Sequence, residues 1–333
     1  MNFRVDRWRT VALRGSLVIL TTVGALLLSS CGGSGQSSQS KRFEPTRMVV
    51  FGDEASLLVP TTPGGNDSRK YTNNGFSPFT PSVIDCFNAN RLWVQILADR
   101  YGLVFAQCNP ANVTATAQMR ATAGGKVADL VTAVDAFLAT TSPVPTDLIT
   151  MMVGTNDIVE LYGSAMTQAA AVAEAKRRGV LFGNQINRLT NNANTMGRVM
   201  YSTVPEVGLT PFGLSKSSAD QSFLNLLTTS YNDAMRGRVD INGRSNGFLD
   251  TAQSFRNIID FVRRGRSVSR SDVTNVTVAA CLDPLNLLNC TNTTLVPGAT
   301  ATNHFWAGNV NFSASGHILI GDEAVDLATN LPW

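Results

Sequence analysis

The chain has 333 residues, 44% of them hydrophobic and 15% charged, which is long for one domain but within range for α/β folds. Its formal charge is +3, yet four Arg against one Asp in the first thirty residues account for that excess, so the rest is near neutral and nothing suggests nucleic acid as a partner. Five cysteines occur without a C-x-x-C pair or a Cys/His cluster, which removes support for zinc, and no other metal or cofactor is expected.

In chain order, Arg4, Arg7, Arg9 and Arg14 precede an apolar run from Leu17 to Leu28. That run is short for a membrane span and suits the apolar region of a secretory signal. It ends in Leu28-Ser29-Ser30-Cys31, which resembles a bacterial lipobox. The resemblance implies a signal peptide over 1–30, cleavage before Cys31, and a lipid on that cysteine as the link to a membrane. Each acyl methylene buried in a bilayer contributes roughly 0.8 kcal/mol, so two or more chains anchor stably. Gly32, rather than Asp, follows the cysteine and resembles lipoproteins sent to an outer membrane of the cell envelope. Gly32 to Ser40 has no apolar residue, so 31–46 is read as lipidated cysteine plus tether, and 47–333 as one domain. Cys86, Cys108, Cys281 and Cys290 remain. In an oxidising compartment they form two disulfides by any of three pairings, the sequence-local Cys86–Cys108 and Cys281–Cys290 being preferred, with free buried thiols as the alternative.

Within the domain, Met48 to Phe51, Leu148 to Val153 and Val199 to Val204 are apolar runs stopped by Gly or Pro and are expected to be buried strands. Helices are expected from Leu92 to near Gly102, over Val127 to Leu138, around Phe223 to Met235 and Phe255 to Val262, and from an N-cap at Ser313 through Leu327. Alternating strands and helices predict a mostly parallel sheet with helices on both faces. In such sheets ligands sit beyond the carboxyl ends of the strands, here the turns after Phe51 and Val153.

Those turns carry motifs. Val49-Val50-Phe51-Gly52-Asp53 resembles the first block of the SGNH, or GDSL-type, esterases and lipases, and Val153-Gly154-Thr155-Asn156-Asp157 resembles their G-x-N-D block. Ala123-Gly124-Gly125 resembles the glycine block, Asn90 to Ala98 a helix start of lipase members, and Phe305-Trp306 and Ser313 to His317 the flanks of the last block. The resemblance implies a flavodoxin-like, three-layer α/β/α sandwich. It also implies an acyl-transfer site: serine as nucleophile, a D-x-x-H block as base and orienter, and an oxyanion hole from two backbone N–H groups and the asparagine.

This chain departs at every triad position. Glu54 stands where the serine belongs; the family aspartate falls on Ala307 and the histidine on Asn311, with one residue inserted. The two histidines, His304 and His317, are preceded three residues earlier by Ala301 and Ala314, so no D-x-x-H exists. What survives is the oxyanion half: Gly124 or Gly125, and Asn156. Glu54 is expected to open a helix, where N–H groups favour a carboxylate, and to fill that pocket by accepting from Asn156. Asp53, Glu54 and Asp157 together form an acidic cluster with a possible binding role. Ser56, as a displaced nucleophile, is expected to point elsewhere. His317 is expected to pack or cap, His304 to lie in a loop or at the pocket mouth, and Arg263 to Arg266 to be a solvated loop. Asn112 and Asn275 begin glycosylation sequons that mean little in a lipoprotein of bacterial type.

Three functions remain open on sequence: an SGNH-like envelope lipoprotein that binds a small-molecule, lipid or glycan ligand, or a protein partner, rather than hydrolysing esters; an active esterase or lipase with a non-standard site; and a structural envelope protein.

Overall fold

The computed structural model describes residues 43–191, 197–269 and 271–330. The signal peptide and Cys31 lie outside the described residues. Described residues belong to one compact unit, Arg42–Trp333.

Apolar side chains without polar interruption are buried on both faces of a sheet, and the strand cores behave that way. β1 (Arg47–Gly52) and β5 (Asp147–Met152) have every residue from Met48 and from Asp147 onward buried. Short β2 (Leu58–Pro60) and β3 (Ser68–Lys70) pair antiparallel outside the main sheet. The main sheet is completed by β4 (Ala117–Met119), β6 (Arg198–Ser202) and β7 (Asn246–Leu249). Its order is β4-β1-β5-β6-β7 and every pairing is parallel, with Val50 opposite both Met119 and Thr150. Counting only these strands, this is the flavodoxin-like order, with its switch point between β1 and β5. β8 (Asn275–Ala279) and β9 (His304–Trp306) form a separate parallel pair.

Helices cover both faces. α1 (Trp93–Arg100), α7 (Thr251–Arg263) and α8 (Ala314–Asn330) pack on one face through Trp93, Leu97, Phe255, Ile259 and Ile320. The other face carries α2 (Val127–Thr140), α3 (Thr155–Tyr162), α4 (Gln168–Thr190) and α6 (Ser218–Arg236), with a short helical turn, α5 (Pro211–Leu214), before α6. Their contacts centre on Val134, Phe137, Ile158, Phe182, Leu227 and Tyr231. Each fully buried side chain of this size contributes roughly 1.5–3 kcal/mol. No helix among the described residues is long and apolar enough to cross a membrane.

The sequence reading of the α/β/α fold holds, and its expected strands and helices are present within a few residues. Ser313 caps α8 by accepting from Gly316 N–H at 3.2 Å. The reading missed α4, the longest helix at 23 residues. Gly179 and Gly183 disguise it, yet they are there for close packing: a Cβ on Gly179 would stand 2.2 Å from the Tyr231 carbonyl oxygen of α6. The packed domain also starts before Arg47. Phe43 is 9% exposed, its ring 6.4 Å from Tyr101 and under the Arg198 guanidinium at 4.1 Å, at the amino ends of the strands. Residues 43–46 therefore belong to the fold and not to the tether.

Both disulfides follow the sequence-local pairing, Cys86–Cys108 and Cys281–Cys290, each with Cα atoms 5.9 Å apart.

Candidate functional site

Two parallel neighbours, β1 and β5, deliver their carboxyl ends to the same place. Gly52 ends β1 at φ +151°, where an added Cβ would lie 2.3 Å from the Met152 carbonyl oxygen, so only glycine lets the strands approach this closely. The next residue ties them again, Asp53 N–H donating to Met152 O at 3.2 Å. Glu54 then opens a single 3-10 turn, Glu54–Ser56, capped by the Asp53 carboxylate on Ala55 N–H at 3.0 Å. The expected helix is absent, so Glu54 gains no helix dipole. Its charge is met by two named donors instead.

Those donors are the oxyanion half predicted from sequence. Glu54 Oε2 accepts from Gly124 N–H at 2.9 Å and from Asn156 Nδ2 at 2.9 Å. Asn156 Nδ2 also donates to Gly125 O at 3.2 Å, while Gly125 N–H is spent on Thr122 O at 3.1 Å. Gly124, and not Gly125, thus supplies the backbone donor. Asn156 enters from the first turn of α3, directly after β5. These are charge-assisted bonds of good length, and they occupy one carboxylate oxygen fully.

Asp53 is 3% exposed, and burial, reinforced by the adjacent Glu54 charge, pushes its carboxyl well above the usual range. Asp157 adds to the negative charge felt by Asp53 but does not line the cleft. It is 1% exposed below α3, accepting from Val127 N–H at 3.0 Å and from Arg178 Nη1 at 3.0 Å. Burial raises its carboxyl to about 6, against the pull of those two donors. It therefore pins α2 and α4 to α3.

Asn311 does reach the cleft. Together with Asp53, Glu54, Thr155, Thr203 and Phe312 it lines a cavity of about 20 Å³, room for a water or two. The histidine position of the family pattern is thus next to Glu54, but it carries a neutral amide with no basic nitrogen. Ala307 is fully buried among Cys281, Leu287 and Cys290, and its N–H donates to Asn311 O at 2.8 Å. The 307–311 loop closes on itself where the family would place an aspartate.

The remaining candidates are structural. Ser56 is fully buried and accepts from Trp93 Nε1 at 3.1 Å. His317 is fully buried on α8, its Nδ1 facing Trp93 N–H at 3.4 Å and its ring edge-on to Phe312. Burial, with help from the Lys70 charge, lowers its pKa to about 3, so it packs as a neutral ring. His304 is a correction to the loop expectation: it lies in β9, 6% exposed, with Nδ1 2.7 Å from Asn303 Oδ1 and its pKa lowered by burial. Arg263 to Arg266 are exposed, Arg264 pairing with Asp260 at 2.9 Å.

Sequence reasoning missed a polar staple at Lys70, Asn73 and Asn74, all fully buried. Lys70 Nζ donates to Ala89 O at 2.7 Å and Cys86 O at 3.2 Å, and burial lowers its pKa to about 7. Asn74 Nδ2 reaches Leu287 O and Cys290 O at 3.2 and 3.1 Å, and Asn73 holds Ala301 O at 3.1 Å and Ala314 N–H at 2.9 Å. No periodicity marks them, and the partners of Asn73 and Asn74 lie some two hundred residues away.

A family model described as GDSL-like Lipase/Acylhydrolase matches residues 49–323. No curated protein matches in sequence. Among solved structures, the chain is similar to an extracellular lipase from Streptomyces rimosus at 14% identity and TM-score 0.43, covering 85% of this chain and 100% of that one. It is also similar to phospholipase A1 from Streptomyces albidoflavus NA297 at 12% identity and TM-score 0.40, covering 84% and 98%. A lipolytic G-D-S-L family protein from Veillonella parvula DSM 2008 matches at 13% identity and TM-score 0.39, covering 84% and 97%. The family model spans most of the chain and both motif turns, and the chain belongs to the GDSL-like lipase/acylhydrolase family.

Proposed function

We propose that this family member has lost ester hydrolysis and acts by binding, as a cell-envelope lipoprotein held at the outer membrane through lipid on Cys31. The observation that carries the reading is the Glu54 carboxylate, which holds the Gly124 N–H and the Asn156 amide at 2.9 Å each. An oxyanion hole works by presenting unspent donors to charge that develops during reaction. Here a fixed negative charge has consumed both, and it repels a second. The other half offers Asn311 and Ala307, which can neither take a proton from a nucleophile nor orient a base. Membership of a hydrolase family does not carry activity by itself.

The test is turnover and labelling. Purified mature protein should hydrolyse short-chain nitrophenyl esters no faster than buffer and take no label from a fluorophosphonate probe. Labelling at any serine overturns the reading. Ester turnover that vanishes in Glu54→Ala would instead establish an active hydrolase with Glu54 as nucleophile or base.

A further inference from the structure

A second cavity lies behind the cleft, between α7 and α8. It measures about 300 Å³, within the range of small-molecule sites. Phe255, Ile258 and Phe261 of α7 and Leu319 and Ile320 of α8 give it apolar walls, and Glu323 of α8 supplies its one acidic group. It is separate from the cleft. Phe312 lines the cleft and Phe305 lines this cavity, and their rings meet edge to face at 5.6 Å. Phe305 stacks in turn on Phe255 at 5.1 Å, so an aromatic wall divides the two spaces.

Glu323 is the informative residue. Its Oε2 accepts from Ser254 Oγ at 2.6 Å, and no Lys, Arg or His among the described residues pairs with it. Burial raises its pKa, against the Ser254 hydroxyl and with help from the like charge of Asp250. A half-buried carboxylate beside apolar side chains, with no cation paired to it among the described residues, gains from one. Its second oxygen has no donor among the hydrogen bonds of the described residues.

We propose that this cavity binds a small amphiphilic amine, an ammonium group on Glu323 with a phenylalkyl or short alkyl body between α7 and α8. The site is independent of the proposed loss of hydrolysis.

Phenethylamine and its neutral counterpart 2-phenylethanol test this on the mature protein, by calorimetry or ligand-observed NMR in phosphate buffer at pH 7.5. The amine should bind at least tenfold tighter than the alcohol. Glu323→Gln should bring the amine down to the alcohol's affinity and leave the alcohol unchanged. Ile258→Trp, which fills the cavity, should remove both; if that variant fails to fold, Leu319→Phe takes its place, folding being checked by circular dichroism. Glu54→Gln should leave amine binding intact, since that carboxylate faces the other space. Equal affinity for amine and alcohol, no binding of either, or amine binding that survives Glu323→Gln but falls with Glu54→Gln would each overturn the proposal.

Discussion

The two halves of the cleft are built by different means. The half holding Glu54 is made by the sheet: β1 and β5 are adjacent, their ends are tied by backbone bonds, and Glu54 and Asn156 follow within a few residues of each. The half holding Ala307 and Asn311 is made of loops, fastened by the Cys281–Cys290 disulfide and by buried side chains at 70–74. The sheet half holds its geometry because adjacent strands end there. The loop half has no such obligation, and the positions read from the family pattern carry a buried alanine and an amide.

That contrast can be broken most sharply at Ala307. Restoring an aspartate there would put an unpaired carboxylate at a site with no solvent exposure, beside a disulfide and Leu287. Ala307→Asp should cost about 3–5 kcal/mol by denaturant unfolding, whereas Asn311→His at the partly open cleft should cost less than about 1 kcal/mol. A well-folded Ala307→Asp variant would mean that the loop half has kept room for a triad.

The sheet half should yield next. Gly52→Ala places a Cβ against the Met152 carbonyl at 2.3 Å in a backbone conformation that alanine rarely adopts. A loss of about 3 kcal/mol is expected from overpacking and strain together, read as a lowered urea midpoint at unchanged slope. An unchanged midpoint would show that β1 and β5 can part without cost.

A pH dependence is expected at Lys70, which holds the 86–89 segment through the Cys86 and Ala89 carbonyls. Lys70 is lowered to about 7 in the fold from about 10.4 in an unfolded chain. Between those values the unfolded chain binds the extra proton, so stability should rise with pH from about 7 to about 10. Lys70→Met should flatten that slope by about one proton's worth, measured as unfolding free energy against pH. A slope that persists in Lys70→Met would assign it to another group.

How much was legible in the sequence follows the same division. Val49 to Asp53 and Val153 to Asp157 are short segments in which strand, turn and site residue are consecutive, so local pattern was enough to find the fold and the Asn156 donor to Glu54, while the choice between Gly124 and Gly125 needed the structure. The disulfide partners are near in sequence and were legible for that reason. Lys70, Asn73 and Asn74 sit in a stretch rich in Asn and Gly that has no periodicity; Asn73 and Asn74 are met by carbonyls from 287–301, and Lys70 by those of Cys86 and Ala89. Asp157 misled in the opposite direction. Its place beside Asn156 suggested the cleft, but a helix turns successive residues by roughly 100°, which directs it down onto Arg178.

Phe43, packed at the amino ends of the strands, also fixes how the domain carries mechanical load. Tension applied at Phe43 would pass into β1, and β1 is flanked by parallel partners on both sides. Such a pull shears two ladders at once instead of peeling one bond after another. The cleft, at the far ends of the same strands, lies beyond the point where that force is taken up.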